Sequence, residues 1–326
     1  MTSFPKRRPI ALGLAAMGIT LAGACASSSP RLPGAEARLP GALTAETPVR
    51  LRVQVAGQVS AVSLEQYVLG AALSEVTPTG ESDIAVSTIY EVQAIVARAY
   101  AVAHLGRHAS EGFDLCDKSH CQLYQPARIQ TSRFSALARR AVVATSGRIL
   151  RYRGRAAQAV FHSDCGGRTT TPAAAWGGAA LQYLPERLDD LPEGTHRTWH
   201  FAASSPEWAD ILRRDPLTDP GGALRDLIVT KVDSSGRAAE VEIVGTQTRR
   251  VTGGVLRTVV TAVRGDRSLM STRFTVIRTS DGFRLEGAGF GHGVGLCQAG
   301  AIARARRGDS VASILGHYYP GASSPW

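Results

Sequence analysis

The chain has 326 residues, 44% hydrophobic and 20% charged, enough apolar content for a globular protein of one or two domains and too much for a disordered chain. Lys and Arg outnumber Asp and Glu by 37 to 27, a net charge of +10, so the expected partners are anionic. No Lys/Arg-rich run interleaved with aromatic residues occurs, which argues against nucleic acid and leaves membrane surfaces or acidic cell-envelope polymers.

Residues 1–30 read as an export signal. Lys6, Arg7 and Arg8 form a basic start, and residues 10–21 form an apolar stretch shorter than a typical membrane span. The sequence Leu21-Ala22-Gly23-Ala24-Cys25 resembles a bacterial lipobox with Cys25 as the lipidated residue and therefore a membrane anchor. Its Leu stands four residues before the Cys instead of three, and ordinary cleavage after Ala24 or Ala26 is the competing reading. Residues 26–48, rich in Ser, Pro, Gly and Ala, read as a flexible tether. Either cleavage makes the protein extracytoplasmic, where Cys116, Cys121, Cys165 and Cys297 could form two disulfides of undetermined pairing.

From residue 49 onward the pattern is that of a folded α+β domain. Residues 51–55 alternate as a strand, with 57–59 as its hairpin partner. Ser63 followed by Gln66 signals a helix start, and Leu64, Tyr67, Val68, Ala71 and Ala72 define its apolar face. Glu75 falls on that same face just before Thr77-Pro78 ends the helix. A carboxyl on a buried stripe holds its proton more tightly, which suits a general acid near neutral pH; a partly exposed Glu at a frayed end is the plain alternative. Residues 80–88 read as a loop and 90–105 as a second helix carrying Arg98.

Cys116, His120 and Cys121 are close enough to ligate zinc with a fourth residue such as His104, His108 or His162, or the two cysteines close a short disulfide. Residues 133–146 read as a helix, followed by strands near 148–152 and 158–162. His162 closes the latter in Phe161-His162-Ser163-Asp164-Cys165-Gly166-Gly167. The Trp-rich stretch 173–220, with Trp176, Trp199 and Trp208, offers rings that could stack on sugars or fill a core. Residues 225–285 read as a small antiparallel β-rich subdomain, inserted or appended, including a strand at 258–260. From Gly287 to Gly295 glycine occupies every second position, with His292 among the intervening residues. An extended run of this kind would present a bare groove floor to a polymer, with Gly291 and Gly293 beneath it, or pack tightly against a neighbouring strand. Helices at 298–307 and 310–318 complete the chain.

Taken together, four segments resemble the SpoIID/LytB family, the group of stage II sporulation protein D and the amidase enhancers. They are residues 69–78 with Glu75, the helix Glu91-Val-Gln-Ala-Ile-Val-Ala-Arg-Ala-Tyr100, residues 161–169, and the ending Gly289-Phe-Gly-His-Gly-Val-Gly-Leu-Cys-Gln298 through Tyr318-Tyr319-Pro320-Gly321. The resemblance covers residue 50 to the C-terminus. It implies a cell-envelope lytic transglycosylase that cleaves the MurNAc–GlcNAc bond of peptidoglycan with a 1,6-anhydro product, or a non-catalytic enhancer of a partner amidase. Glu75 then matches the catalytic acid, Arg98, His162, His292, Gly291 and Gly293 match substrate-binding positions, and Cys116, His120 and Cys121 match a region where some relatives place zinc. The proposed chemistry itself requires no cofactor. The sequence departs from the family pattern in Val76-Thr77-Pro78 after Glu75, in Glu91 for Lys and in Cys297 for Ser.

Overall fold

The computed structural model describes residues 50–189, 191 and 196–323, all within one compact unit that spans residues 35–326. The export signal, Cys25 and the tether lie outside the described residues. The fold is α+β, as the sequence implies. Among the described residues, no helix is long and apolar enough to cross a membrane.

The chain opens with an antiparallel hairpin, β1 (Arg50–Val55) and β2 (Gln58–Ser63), followed by α1 (Leu64–Glu75) and α2 (Asp83–Ala103). Ser63 caps α1 by accepting from the Gln66 N–H at 3.2 Å. Helix α2 starts seven residues before the expected boundary, because Ser82 caps it and Ala85, Val86 and Ile89 extend its buried stripe. The segment expected as a loop is therefore its first turn and a half. Strand β3 (Leu115–Cys116) pairs in parallel with β1, and α3 (Arg128–Thr131) and α4 (Ser135–Ala144) lead to the short pair β4 (Arg151–Tyr152) and β5 (Arg155–Ala156). Then come β6 (Phe161–His162) and α5 (Pro172–Trp176). These elements, with the C-terminal ones below, enclose a first core around Tyr67, Tyr90, Ile95 and Tyr124.

A second core is built from β7 (Thr198–Ser204), α6 (Ser205–Leu212), β8 (Asp226–Val232), β9 (Ala238–Val244), β10 (Thr248–Val251), α7 (Gly253–Arg264), β11 (Phe274–Arg278) and β12 (Gly282–Ala288). Its strands form two antiparallel sheets, ordered β10-β9-β8 and β11-β12-β7. The single small sheet expected over 225–285 is thus two sheets that begin at Thr198. Residues 258–260, expected as a strand, lie inside α7. Thr252 caps that helix, and Leu256, Val259 and Val260 return at helical spacing to pack inward, so tertiary packing overrides the β-branched local preference. Trp208 is wholly buried and donates its Nε1–H to the Phe283 carbonyl at 2.9 Å, so it is a core residue, burial of this size being worth about 3 kcal/mol. The chain then re-enters the first core through β13 (Leu296–Cys297), which pairs in parallel with β6, and ends with α8 (Gln298–Arg306) and α9 (Val311–Tyr318).

Candidate active site

Glu75 is the last residue of α1 and half-buried. Helix α1 is buried almost all round, through Tyr67–Leu73, so its end is held firmly. Arg128 Nε binds the Leu73 carbonyl at 2.7 Å, the Gln125 N–H donates to Ser74 Oγ at 2.9 Å, and the Tyr124 ring lies where any side chain on Gly70 would stand. The loop 116–125 therefore lies against the helix end, and its Leu123 N–H donates to Glu75 Oε1 at 2.6 Å. Burial pushes the Glu75 carboxyl up from 4.5 to about 7, with the Leu123 hydrogen bond opposing it. The negative end of the α1 dipole acts in the same direction as burial. A shallow cleft of about 500 Å³ begins two residues beyond, lined by Thr77, Thr79, Arg128 and Arg133.

The same loop gathers a donor set. Cys121 Sγ lies 3.4 Å from His108 Nε2 and 3.7 Å from His120 Nδ1, and Cys116 Sγ lies 3.6 Å from His120 Nδ1. All four ligand atoms lie within 4.8 Å of one another. A tetrahedral zinc with Zn–S of about 2.3 Å and Zn–N of about 2.05 Å separates neighbouring sulfur and nitrogen by about 3.6 Å, so this set fits zinc. Of the three histidines considered as fourth ligand, His108 is the one in place. Both cysteines are free thiols. Burial raises Cys121 to about 12 in the absence of a cation.

His162 and His292 come together at the other motif. Their ring centroids are 5.4 Å apart, and the half-exposed Trp176 ring meets His292 at 5.0 Å with the planes tilted by 55°. His162 Nδ1 donates to the Val294 carbonyl at 3.1 Å, which leaves Nε2 as a bare acceptor, buried and without a partner among the described residues. His292 Nδ1 accepts from the Val294 N–H at 3.0 Å, and its ring also bonds the Phe161 backbone. Burial, with Arg257 and Arg237 nearby, pushes His292 down to about 3. Burial, His292 and Arg237 hold His162 well below its ordinary range. Both rings are neutral at physiological pH.

The glycine run is not an extended groove floor. Gly289, Gly291, Gly293 and Gly295 have φ of +85°, +112°, +83° and +71°. A Cβ on Gly291 would stand 2.8 Å from His162 Cβ, and one on Gly293 would fall on the Arg237 guanidinium. The alternating glycines therefore let the chain wind closely past β6 and Arg237, and the faces of Gly291 and Gly293 that were expected to meet substrate are covered by protein. Arg98 is a second correction. Fully buried, it forms a two-point pair with Glu65 at 2.6 and 2.9 Å and donates to the Arg148 carbonyl at 3.1 Å. It joins α2 to α1 at the end opposite Glu75, about 15 Å along the helix, and its guanidinium is closed off from any substrate by burial.

Sequence reasoning missed Leu123, Asp164, His196 and Arg237. Asp164 accepts from the Gly166 and Arg197 N–H groups at 2.8 and 2.6 Å and pairs with His196 Nδ1 at 2.7 Å. Arg237 comes from the β8–β9 turn, 55 positions before His292, and no local pattern marks it. A larger cleft of about 890 Å³ lies along β7, β11 and β12, with His196, Trp199 and Arg273 in its wall. No hydrogen bond, ion pair or ring contact among the described residues joins the Glu75 and His292 groups.

The family model for stage II sporulation protein (SpoIID) matches residues 53–152, the segment that holds Glu75 and the Cys–His loop. Stage II sporulation protein D of Bacillus subtilis is 28% identical over 275 residues, covering 80% of this chain and 74% of that protein. Residues 53–152 thus resemble the SpoIID/LytB family, and the relatives carry that likeness over most of the chain. An uncharacterized protein of Brachyspira hyodysenteriae is 26% identical over 264 residues, 81% of this chain and 67% of its own. The amidase enhancer of Bacillus subtilis is 25% identical over 227 residues, 56% of this chain, which spans about a third (32%) of that relative's length. A second model, for a domain of unknown function (DUF8618), matches residues 193–295, and so covers the second core and the glycine run.

Proposed function

We propose that the protein acts on the cell wall as a lytic transglycosylase, cutting peptidoglycan glycan strands without water. The observation that carries this reading is the Glu75 carboxyl, raised to about 7 at the end of a rigid helix and oriented by one backbone N–H. Glu75 donates its proton to the glycosidic oxygen between MurNAc and GlcNAc as that bond breaks. The resulting carboxylate then takes the proton of the C6 hydroxyl of the same MurNAc, whose oxygen closes onto C1. The product is a 1,6-anhydro ring, and the enzyme regains its proton. Because the nucleophile is intramolecular, the second carboxylate of an ordinary glycosidase has no task. The Arg-lined cleft beside Thr77 suits an acidic glycan. Trp176, half-exposed beside His292, offers a ring face to a sugar.

Zinc held by His108, Cys116, His120 and Cys121 would supply a structural crosslink. Four protein ligands leave no open position for water, and the set fixes the loop that presents Leu123 to Glu75. The protein is exported and held at the envelope, with Cys25 as a lipid anchor. The likeness to the amidase enhancer favours one second reading, a non-catalytic partner of a wall amidase. Purified glycan strands, with stem peptides present and removed, separate the two. Anhydro-muropeptides in the mass spectrum that vanish with Glu75→Gln support the enzyme. Intact strands that still sediment with the protein support the enhancer.

A further inference from the structure

Cys165 and Cys297 have no part in the function proposed above, yet they meet at a telling place. Cys165 follows β6 by three residues, and Cys297 ends β13, which pairs with β6. The two stand 132 residues apart in sequence and bracket the whole second core. Both are completely buried. The Cys165 N–H donates to Cys297 Sγ at 3.2 Å, and the two thiols hydrogen-bond each other. The remaining partners of the sulfurs are the Gly167 and Gly300 N–H groups and Asp189, at 3.3, 3.4 and 3.4 Å.

Asp164 and His196 also bring ligand atoms within 4.8 Å of these sulfurs, but a metal is disfavoured there. The Asp164 oxygens already serve three donors, and the Arg237 guanidinium binds the Cys165 carbonyl at 2.7 Å, a cation where a dication would sit. The contrast with the Cys116–Cys121 loop, where an imidazole nitrogen stands beside each thiol at the tetrahedral edge length, is chemical. Two adjacent thiols without converging neutral imidazoles are suited to oxidation.

We infer that Cys165 and Cys297, both free thiols in this structure as Cys116 and Cys121 are, become joined on oxidation by a disulfide that staples the entry of the second core to its exit. One thiolate attacks a small-molecule or protein disulfide, and the second displaces the bound half. One Sγ–Sγ bond forms, the oxidant's S–S bond breaks, and the two protons of Cys165 and Cys297 end on the oxidant's two sulfurs, which leave as thiols. The buried sulfurs are reached by the oxidant while the chain is folding. Strands β6 and β13 share a ladder of only two residues each, and they position His162 and the residues after His292. A crosslink that closes so long a loop gives the largest reduction in unfolded-chain freedom.

The test uses the full chain, refolded with zinc in a buffer of reduced and oxidised glutathione, then denatured with an alkylating agent and digested. The expected result is a linked peptide pair containing Cys165 and Cys297, unalkylated until reductant is added. Alkylation of both residues without reductant overturns the proposal. Zinc content gives a second arm: one equivalent per chain is expected, whereas two equivalents, one of them lost in Cys297→Ser, overturns it in favour of a metal. In a third arm, reductant lowers the thermal midpoint of the wild type by roughly 5 °C and leaves Cys165→Ser/Cys297→Ser unmoved. Equal shifts in both proteins contradict the crosslink.

Discussion

At the Glu75 end of the molecule, burial keeps a carboxyl in its acid form up to about pH 7. At the glycine-run end, the same force keeps two imidazoles in their neutral form, His292 down to about 3. In each case the low-dielectric surroundings disfavour the charged state, and the sign of the shift follows from whether protonation removes or creates charge. The difference in consequence is large. Glu75 is left to gain or lose its proton near neutral pH. His162 and His292 become fixed hydrogen-bonding and stacking surfaces, insensitive to pH. One region therefore titrates near neutral pH, and the other keeps one protonation state there.

The largest expected effect comes from removing the proton donor. Glu75→Gln should lower glycan cleavage by at least about 100-fold, measured as anhydro-muropeptides released, and cleavage at the wild-type rate would sink the mechanism. The pH dependence has a definite sign. The folded carboxyl holds its proton more tightly than the unfolded one, so its neutral form contributes fully below about 4.5 and that contribution is lost as pH rises to about 7. The gap corresponds to up to roughly 3 kcal/mol. Wild-type cleavage should fall as pH rises through 7, while Glu75→Gln should melt higher than wild type at pH 8 and lose that advantage below pH 5. A cleavage profile flat from pH 6 to 8 would contradict the assignment of Glu75.

Chelation should come next. Stripping metal from His108, Cys116, His120 and Cys121 should lower the thermal midpoint by roughly 10 °C and reduce cleavage through loss of the Leu123 contact. No change in midpoint on chelation would remove the structural role of zinc. At the other end, Gly293→Ala should cost at least about 2 kcal/mol in denaturant unfolding, because it combines a positive φ with the Arg237 guanidinium in the way. Trp176→Ala should weaken glycan sedimentation about tenfold and leave stability nearly unchanged, the ring being half-exposed. If its effect varied with pH between 5 and 8, the contrast between the two ends would fail.

Several of these features are written in local sequence. Ser63 and the stripe from Leu64 to Ala72 mark α1 and place Glu75 on its apolar side, because a helix repeats every 3.6 residues and needs a cap. The strands at Leu227 and Ala239 are legible from their alternation and from the Ser234-Ser235-Gly236 turn. Where propensity and packing disagree, local reading fails. Residues 258–260 look like a strand and fold as helix because Leu256, Val259 and Val260 share a buried face.

The sequence by itself determined the α+β class and the Glu75 helix, whose cap and apolar stripe lie within a dozen positions, and it placed Cys116, His120 and Cys121 together with zinc and a disulfide both open. Tertiary structure alone decided the rest. It selected His108 over His104 and His162, committed Arg98 to Glu65, folded the glycine run over His162 and Arg237, and brought Cys165 to Cys297. The reason is physical. A pKa, a ligand shell or a close backbone approach depends on what lies within a few ångströms, and in this chain those neighbours come from 13 to 132 residues away.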